Sequence, residues 1–461
     1  MPIKPRWFTL LLAAILLTST GLGCKGLSGA EQAATKPVKL EYWTVVEDVP
    51  ALQAAVEKYR VFRPYLTVNI RTLRPEEVYG QLIEALAEDR GPDIISLRNR
   101  WLGQYLSKLA PLPESIPDTT VYTERGRFST QTTVTTQTRP LLNPRQLESE
   151  YVQAVAKDAV LGGKIYGLPF SLDTMALYYN KDILDRAGVP SPPKTWEEFQ
   201  AAAKKATRFD RRTGKLVQAG AALGVGSNVP GSDDLFYLLL RQSGLELTDK
   251  RTGAAVFHLA ADRNAETPVM SVLNFFTDFA NPNRDTYTWN ADQGNALDAF
   301  VSGRLAFFFG YSYHYSQIKS RAPQLNLGVL PMLQLNSEEP VNVANYWVQA
   351  VLAKSPRQAA AWGLIDYLAR GDANKEYLDA TLRPTARRVY VAEQQAKPEL
   401  KPFVSDVLIA ENWYRGKNYE AAARALNDLF AAWLEPVDPQ RPFEARQEAL
   451  NRAAARINQS L

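Results

Sequence analysis

Metal and nucleophile chemistry find few residues to work with in this chain. The two histidines, His258 and His314, stand far apart, and neither belongs to a ligand spacing such as H-E-x-x-H. Cys24 is the only cysteine, so neither an internal disulfide nor a thiolate cage can form. No G-x-S-x-G elbow and no Walker loop is present, while carboxylates are plentiful enough that a glycosidase pair could stand among them. The aromatic residues are more informative. Trp43, Trp101, Tyr178, Trp289, Tyr311, Tyr313, Tyr346 and Trp347 fall near strand ends or in loops. Asp173, Asn180, Asn290, Asp292, Arg98, Arg100, Arg387 and Arg388 could stand beside them. Flat rings with planar bidentate groups suit the C–H faces and hydroxyls of sugars. A single tryptophan is more commonly core than ligand wall, and alternation lets only one of Tyr178 and Tyr179 face a cleft.

The elements that would position these residues follow an α/β order. Val38–Trp43 alternates as a strand, 50–62 carries Leu52, Ala55, Val56, Tyr59 and Phe62 on one helical face, and 65–73 returns to strand. A helix over 75–89 and a short buried strand over 93–97 complete βαβαβ, which predicts a parallel sheet with ligand groups at its carboxyl ends. Trp43, Thr44, Glu47, Arg98, Asn99 and Arg100 lie just past those ends and would face a cleft. Residues 163–188 read as a turn, a strand over 175–179 and a helix capped by Asp182, followed by a second helix capped by Thr195. The segment 111–144, rich in Thr and Gln, reads as a surface excursion.

Length and composition bound the answer. At 461 residues the chain exceeds one compact core, and 46% hydrophobic with 22% charged residues is ordinary for a globular protein. The formal charge of +4 includes Lys4 and Arg6 of a leader, and no Lys/Arg block argues for nucleic acid. Those two residues, the apolar run 7–17 and the small residues before Cys24 describe a secretory signal.

Three groups of residues carry a family resemblance. They are Gly163-Lys164-Ile165-Tyr166-Gly167-Leu168-Pro169 with Tyr178-Tyr179-Asn180-Lys181-Asp182 and Thr195-Trp196; Gly91-Pro92-Asp93-Ile94-Ile95; and Gly303-Arg304 through Gly310. In this order they resemble the extracellular solute-binding proteins of ABC importers, in the large family with maltose- and other sugar-binding members. Leu22-Gly23-Cys24 resembles the end of a lipobox, although Gly21 and Leu22 depart from its usual pattern.

The resemblance implies an α/β, periplasmic-binding-protein-like fold of the class II type, with two α/β lobes, a cleft and several crossovers. On this reading 1–23 is a signal peptide and 24–37 a tether anchored through acylated Cys24. Residues 38–110 and 310–370 form the N-terminal lobe, 111–160 an insertion and crossover, and 161–309 with 371–461 the C-terminal lobe. The implied function is capture of a small solute, a sugar or oligosaccharide, by hinge closure and its delivery to a membrane permease. The residues expected on the ligand are Trp43, Glu47, Arg98, Asn99 and Arg100 from the first lobe and Asp173, Tyr178, Trp289 and Asn290 from the second. Tyr311, Tyr313, Trp347 and the late-loop Arg387 complete the set. No cofactor, metal or nucleic acid is expected, and the protein would be an exported, membrane-anchored monomer. The alternatives are a secreted carbohydrate-active enzyme, a binder of a charged non-sugar solute held by arginines, and an adhesin using the Thr/Gln-rich insertion.

Overall fold

Val38–Thr44 buries Leu40 and Tyr42 and pairs in parallel with Leu66–Thr72 on one side and Ile94–Arg98 on the other. Parallel neighbours need a crossover, and helices Val49–Arg60 and Pro75–Ala87 supply the two required. Leu52, Ala55, Val56 and Tyr59 of the first helix are core, the apolar stripe its spacing demands. Trp347–Leu352 then joins from late in the chain, antiparallel to Ile94–Arg98, and Leu109–Ala110 and Leu168–Pro169 pair with it in turn. The structure is a computed structural model that describes residues 27–45, 48–127, 130–259 and 265–461.

A second sheet runs in the order Arg208–Phe209, Leu216–Ala221, Leu305–Gly310, Ala176–Asn180, Leu327–Pro331. Its strand Leu305–Gly310 is buried along its whole length. Phe307 and Phe309 meet Phe199, and Phe309 also stacks on Trp196, all from one face; Phe308 meets Tyr178 on the other. Helix Trp196–Ala206 lies so close to Leu216–Ala221 that a Cβ on Gly220 would stand 1.9 Å from the Ala203 carbonyl oxygen, which only glycine avoids. Thr195 caps this helix as expected, accepting from the Glu198 N–H at 3.2 Å.

Between the two sheets lies a short third one. Asp173–Thr174 pairs antiparallel with Asn342–Asn345, and Ala410–Glu411 pairs parallel with Asn342–Asn345. Each of the first two leads from one large sheet into the other, so the lobes are joined by crossing strands. Among the described residues no helix is long and apolar enough to cross a membrane.

Several boundaries differ from the sequence reading. Residues 310–331 stay with the second sheet: Tyr311 opens helix Ser312–Arg321, which turns the chain back to pair Leu327–Pro331 with Ala176–Asn180. The first lobe also includes Leu168–Pro169 and helix Gly371–Thr381, the latter packed on Val49–Arg60 and Gln358–Ala369. The cap after Ala176–Asn180 is Asn180, whose Oδ1 accepts from Ile183 N–H at 3.1 Å, and Asp182 instead accepts from Asn326. Within the expected tether, Gly29–Ala34 is helical, because Ser28 and Glu31 each satisfy the other's backbone N–H. Cys24 and the leader lie outside the described residues. The excursion is a long hairpin, Ser115–Arg125 against Thr130–Pro140, with Val121 opposite Val134. Asp118 ties its root to the first lobe through a two-pronged pair with Arg63 at 2.8 Å, and Arg139 reaches Asp366 at 2.6 Å.

Candidate ligand-binding site

The two lobes face one another where the strands of the first sheet end. Arg98 is the last residue of Ile94–Arg98 and lies in register with Trp347, the first of Trp347–Leu352. That register sets the Arg98 guanidinium over the Trp347 ring, 5.5 Å from its centroid. Trp101 meets the same ring edge-on at 5.7 Å and holds it upright. From the opposite lobe, Tyr313 stacks on Tyr311 at 5.7 Å with planes 17° apart. Two cavities of about 170 and 310 Å³ occupy this space and share Arg98, Tyr313 and Asn345. Together they reach the size of small-molecule clefts, which run from about 300 Å³ upward. The first is lined by Phe170, Gln317, Gln349, Tyr377 and Arg383 beside Trp347, and the second by the 226–234 loop with Asn295, Tyr419 and Asn427.

A buried charge cluster closes the inner end of the second cavity. Arg100 donates to Asp234 at 2.5 Å, to Asn412 at 2.9 Å and to the Tyr419 hydroxyl at 2.8 Å. Asp234 also accepts from the Tyr311 hydroxyl at 2.5 Å and from Trp413 Nε1 at 3.3 Å. Asp233 accepts from the Tyr419 hydroxyl at 2.6 Å and stands 3.8 Å from Arg100. Burial pushes the Asp233 carboxyl up to about 6, Asp234 adds to the shift, and Arg100 opposes it.

A cleft between two strand-linked lobes, walled by rings and hydrogen-bonding groups, is built to enclose a small molecule. The sequence matches the bacterial extracellular solute-binding protein family over residues 54–402. The chain belongs to that family. This solute-binding protein is similar to a binding protein of Brucella abortus, with 23% identity over 375 residues covering 80% of this chain and 78% of that one. It is also similar to the maltodextrin-binding protein of Bacillus subtilis, with 26% identity over 241 residues, 50% of this chain and 51% of that one. Among solved structures, the cyclic α-maltosyl-1,6-maltose binding protein of Arthrobacter globiformis matches with a TM-score of 0.68 at 18% identity, covering 92% of this chain and 99% of that one. That structural likeness speaks for the shared fold.

Of the residues expected on the ligand of this solute-binding protein, Arg98, Tyr313 and Trp347 line the cavities, with Tyr311 as a buried backing wall. The others are turned to different work. Arg100 is taken up by Asp234. Asn99 enters the tight turn Asn99–Trp101 and donates to buried Asp158, which also accepts from Tyr346 and Arg415. Trp43 lies under Arg71 in a separate surface groove, because strand parity sends Tyr42 inward, where its hydroxyl reaches Gln349 at 2.7 Å. Asp173 is buried in the linking strand and accepts from the Ser312 N–H at 3.1 Å. Tyr178 is fully buried and donates to the Tyr311 carbonyl at 2.6 Å. Trp289 is fully buried and donates to Asn228, while Asn290 caps the short turn Ala291–Gln293. Arg387 pairs with Glu150 at 2.9 Å and covers the Tyr151 ring. Glu47 lies outside the described residues.

Sequence reasoning missed Asn345, Gln349, Arg383 and Asp233. Arg383 opens the same Arg-rich loop that carries Arg387, and it reaches back to Asp48 at 2.9 Å. Asn345 adjoins the aromatic pair Tyr346–Trp347. Nothing local marks Asp233 and Asp234, which read as ordinary acidic residues in the first turn of helix Ser232–Gln242. Among the described residues no cluster of three or more His, Cys, Asp or Glu side chains could hold a metal ion.

His314 gives the site a pH dependence. Its Nδ1 accepts from the Tyr311 N–H at 2.9 Å, and burial, reinforced by Arg383, pushes its pKa from 6.5 down to about 3. The unfolded chain therefore binds more protons than the folded one in this range, so this contribution is full above pH 6.5 and is lost as pH falls through about 3. Asp233 has the opposite sign: its folded pKa is raised from 3.8 to about 6, so its contribution is full below 3.8 and is lost as pH rises through 6. His314→Gln is expected to flatten the acid limb of the melting profile and expose the Asp233 slope, with a higher melting temperature at pH 5 than at pH 7. An unchanged acid limb in that variant would refute the assignment.

Proposed function

We propose that this protein is the solute-receiving lipoprotein of an ABC importer and that its solute is a saccharide. It binds without covalent chemistry, works as a monomer, and is held at the outer face of the membrane by acylated Cys24. The observation that carries the reading is the pair of ring walls, Trp347 from one lobe and Tyr313 from the other, around a cleft with amide and guanidinium groups between them. Ring faces would cover the C–H surfaces of a sugar, and Asn345, which lines both cavities, would meet its hydroxyls. The similar proteins named for maltodextrin and for a cyclic maltosyl-maltose support the same solute class.

Contacts from both lobes are complete only when they close, so the solute shifts the population toward the closed form. A permease would read that form and take the solute onward.

Titration calorimetry against a panel of neutral and acidic disaccharides tests the reading, and silence across the panel would reject it. Small-angle scattering should show a smaller radius of gyration with the bound sugar. Trp347→Ala is expected to weaken sugar binding by about 2 kcal/mol, roughly thirtyfold in Kd, with the melting temperature nearly unchanged. Full affinity in that variant would remove the ring wall from the account.

A further inference from the structure

We infer that the solute carries a carboxylate, as a uronic-acid sugar does, and that Arg98 receives it. This inference rests on the saccharide reading above and narrows it. Its ground is the distribution of charge in the cleft. Arg100 is spent on Asp234 and Arg383 reaches Asp48, each at hydrogen-bond distance. Arg98 differs: among the described residues no carboxylate stands within 4.0 Å of its guanidinium, and its buried Nε–H has no acceptor.

An uncompensated cation in a half-closed, low-dielectric crevice is costly unless something of opposite charge comes to it. The Arg98 guanidinium stands over the Trp347 ring, and its Nε–H is left for an incoming acceptor. A planar fork approached edge-on matches the two oxygens of a carboxylate. Because Arg98 and Trp347 are register partners, the group that binds the acid and the ring that covers the sugar face belong to one rigid unit.

Asp233 and Asp234 line the second cavity together with Arg98 and outnumber Arg100 beside them, so that part of the lining favours hydroxyl donors over a second acid group. A ligand with its carboxylate on Arg98 and its hydroxyls toward Asp233 would bind in one orientation only.

Calorimetry on the full-length protein with matched pairs tests this: galactobiose against digalacturonate, and mannobiose against dimannuronate. At least one uronate should bind about tenfold or more tightly than its neutral partner. Raising the salt concentration should weaken the uronate alone. Arg98→Gln should abolish that margin by weakening the uronate far more than its neutral partner, and Arg98→Lys should restore part of it. Should Arg98→Gln fail to fold, the wild-type margin and its salt dependence still decide. Neutral sugars binding as tightly as the uronates, or a margin that survives Arg98→Gln, overturns the carboxylate and leaves the saccharide reading standing. Silence with both uronates overturns the carboxylate, and silence across the wider disaccharide panel as well overturns the saccharide reading.

Discussion

Arg100→Met is expected to destabilise the protein by about 3–5 kcal/mol at pH 7, the cost of stranding buried carboxylates. Arg100 leaves the end of a first-sheet strand, whereas Asp233 and Asp234 sit on a helix packed against the second lobe, so the cluster bridges the lobes. Without the guanidinium, Asp233 and Asp234 face each other in a buried site and one of them must take up a proton. The loss should therefore shrink when the pH is lowered below about 6, the value to which Asp233 is already raised. Urea unfolding at pH 7 and pH 5 measures both effects. Combining Arg100→Met with Asp233→Asn and Asp234→Asn should restore more than half of the stability, because the charge that needed Arg100 is gone. A single variant as stable as the wild type at pH 7 would show that the cluster contributes nothing.

The second large effect is expected at Trp289. Its indole is fully buried among Phe300, Ala296 and Val229, and its Nε1 donates to Asn228 Oδ1 at 3.0 Å. Trp289→Ala should cost about 3–5 kcal/mol through the lost burial and the cavity left behind. Trp289→Phe should cost less, since it keeps most of the volume and leaves Asn228 without one donor. Both variants should affect the ligand only through Asn228, which lines the second cavity. Trp347→Ala should do the reverse, sparing the melting temperature and losing affinity. Denaturation and calorimetry on the three variants separate the two tryptophans. Loss of binding by Trp289→Ala at unchanged stability would return Trp289 to the ligand wall.

The contrast between those tryptophans marks how far the sequence could be read. Both stand near loops in aromatic company, and neither spacing nor composition distinguishes them. Trp347 was separable only by its register with Arg98 at the cleft mouth. Among the arginines, the sequence singles out Arg98, Arg100 and Arg387 alike. Their fates diverge because Asp234 and Glu150, 134 and 237 residues away, claim two of them. The lobe boundaries misplaced by the reading fail for a related reason. Helix Ser312–Arg321 follows a strand that looks like an exit, and only pairing with Ala176–Asn180 shows that the chain turns back.

What the sequence determined by itself is local: the period-2 strands and 3.6-period helices, the Thr195 cap, the βαβαβ order and the ordered motifs that betray the family. These depend on neighbours a few residues apart, where backbone geometry and apolar periodicity act directly. Tertiary structure alone decided which charges were left for a ligand. An ion pair forms between groups brought together by the fold, so the free energy that neutralises Arg100 and leaves Arg98 with no carboxylate partner among the described residues exists only once the lobes are assembled.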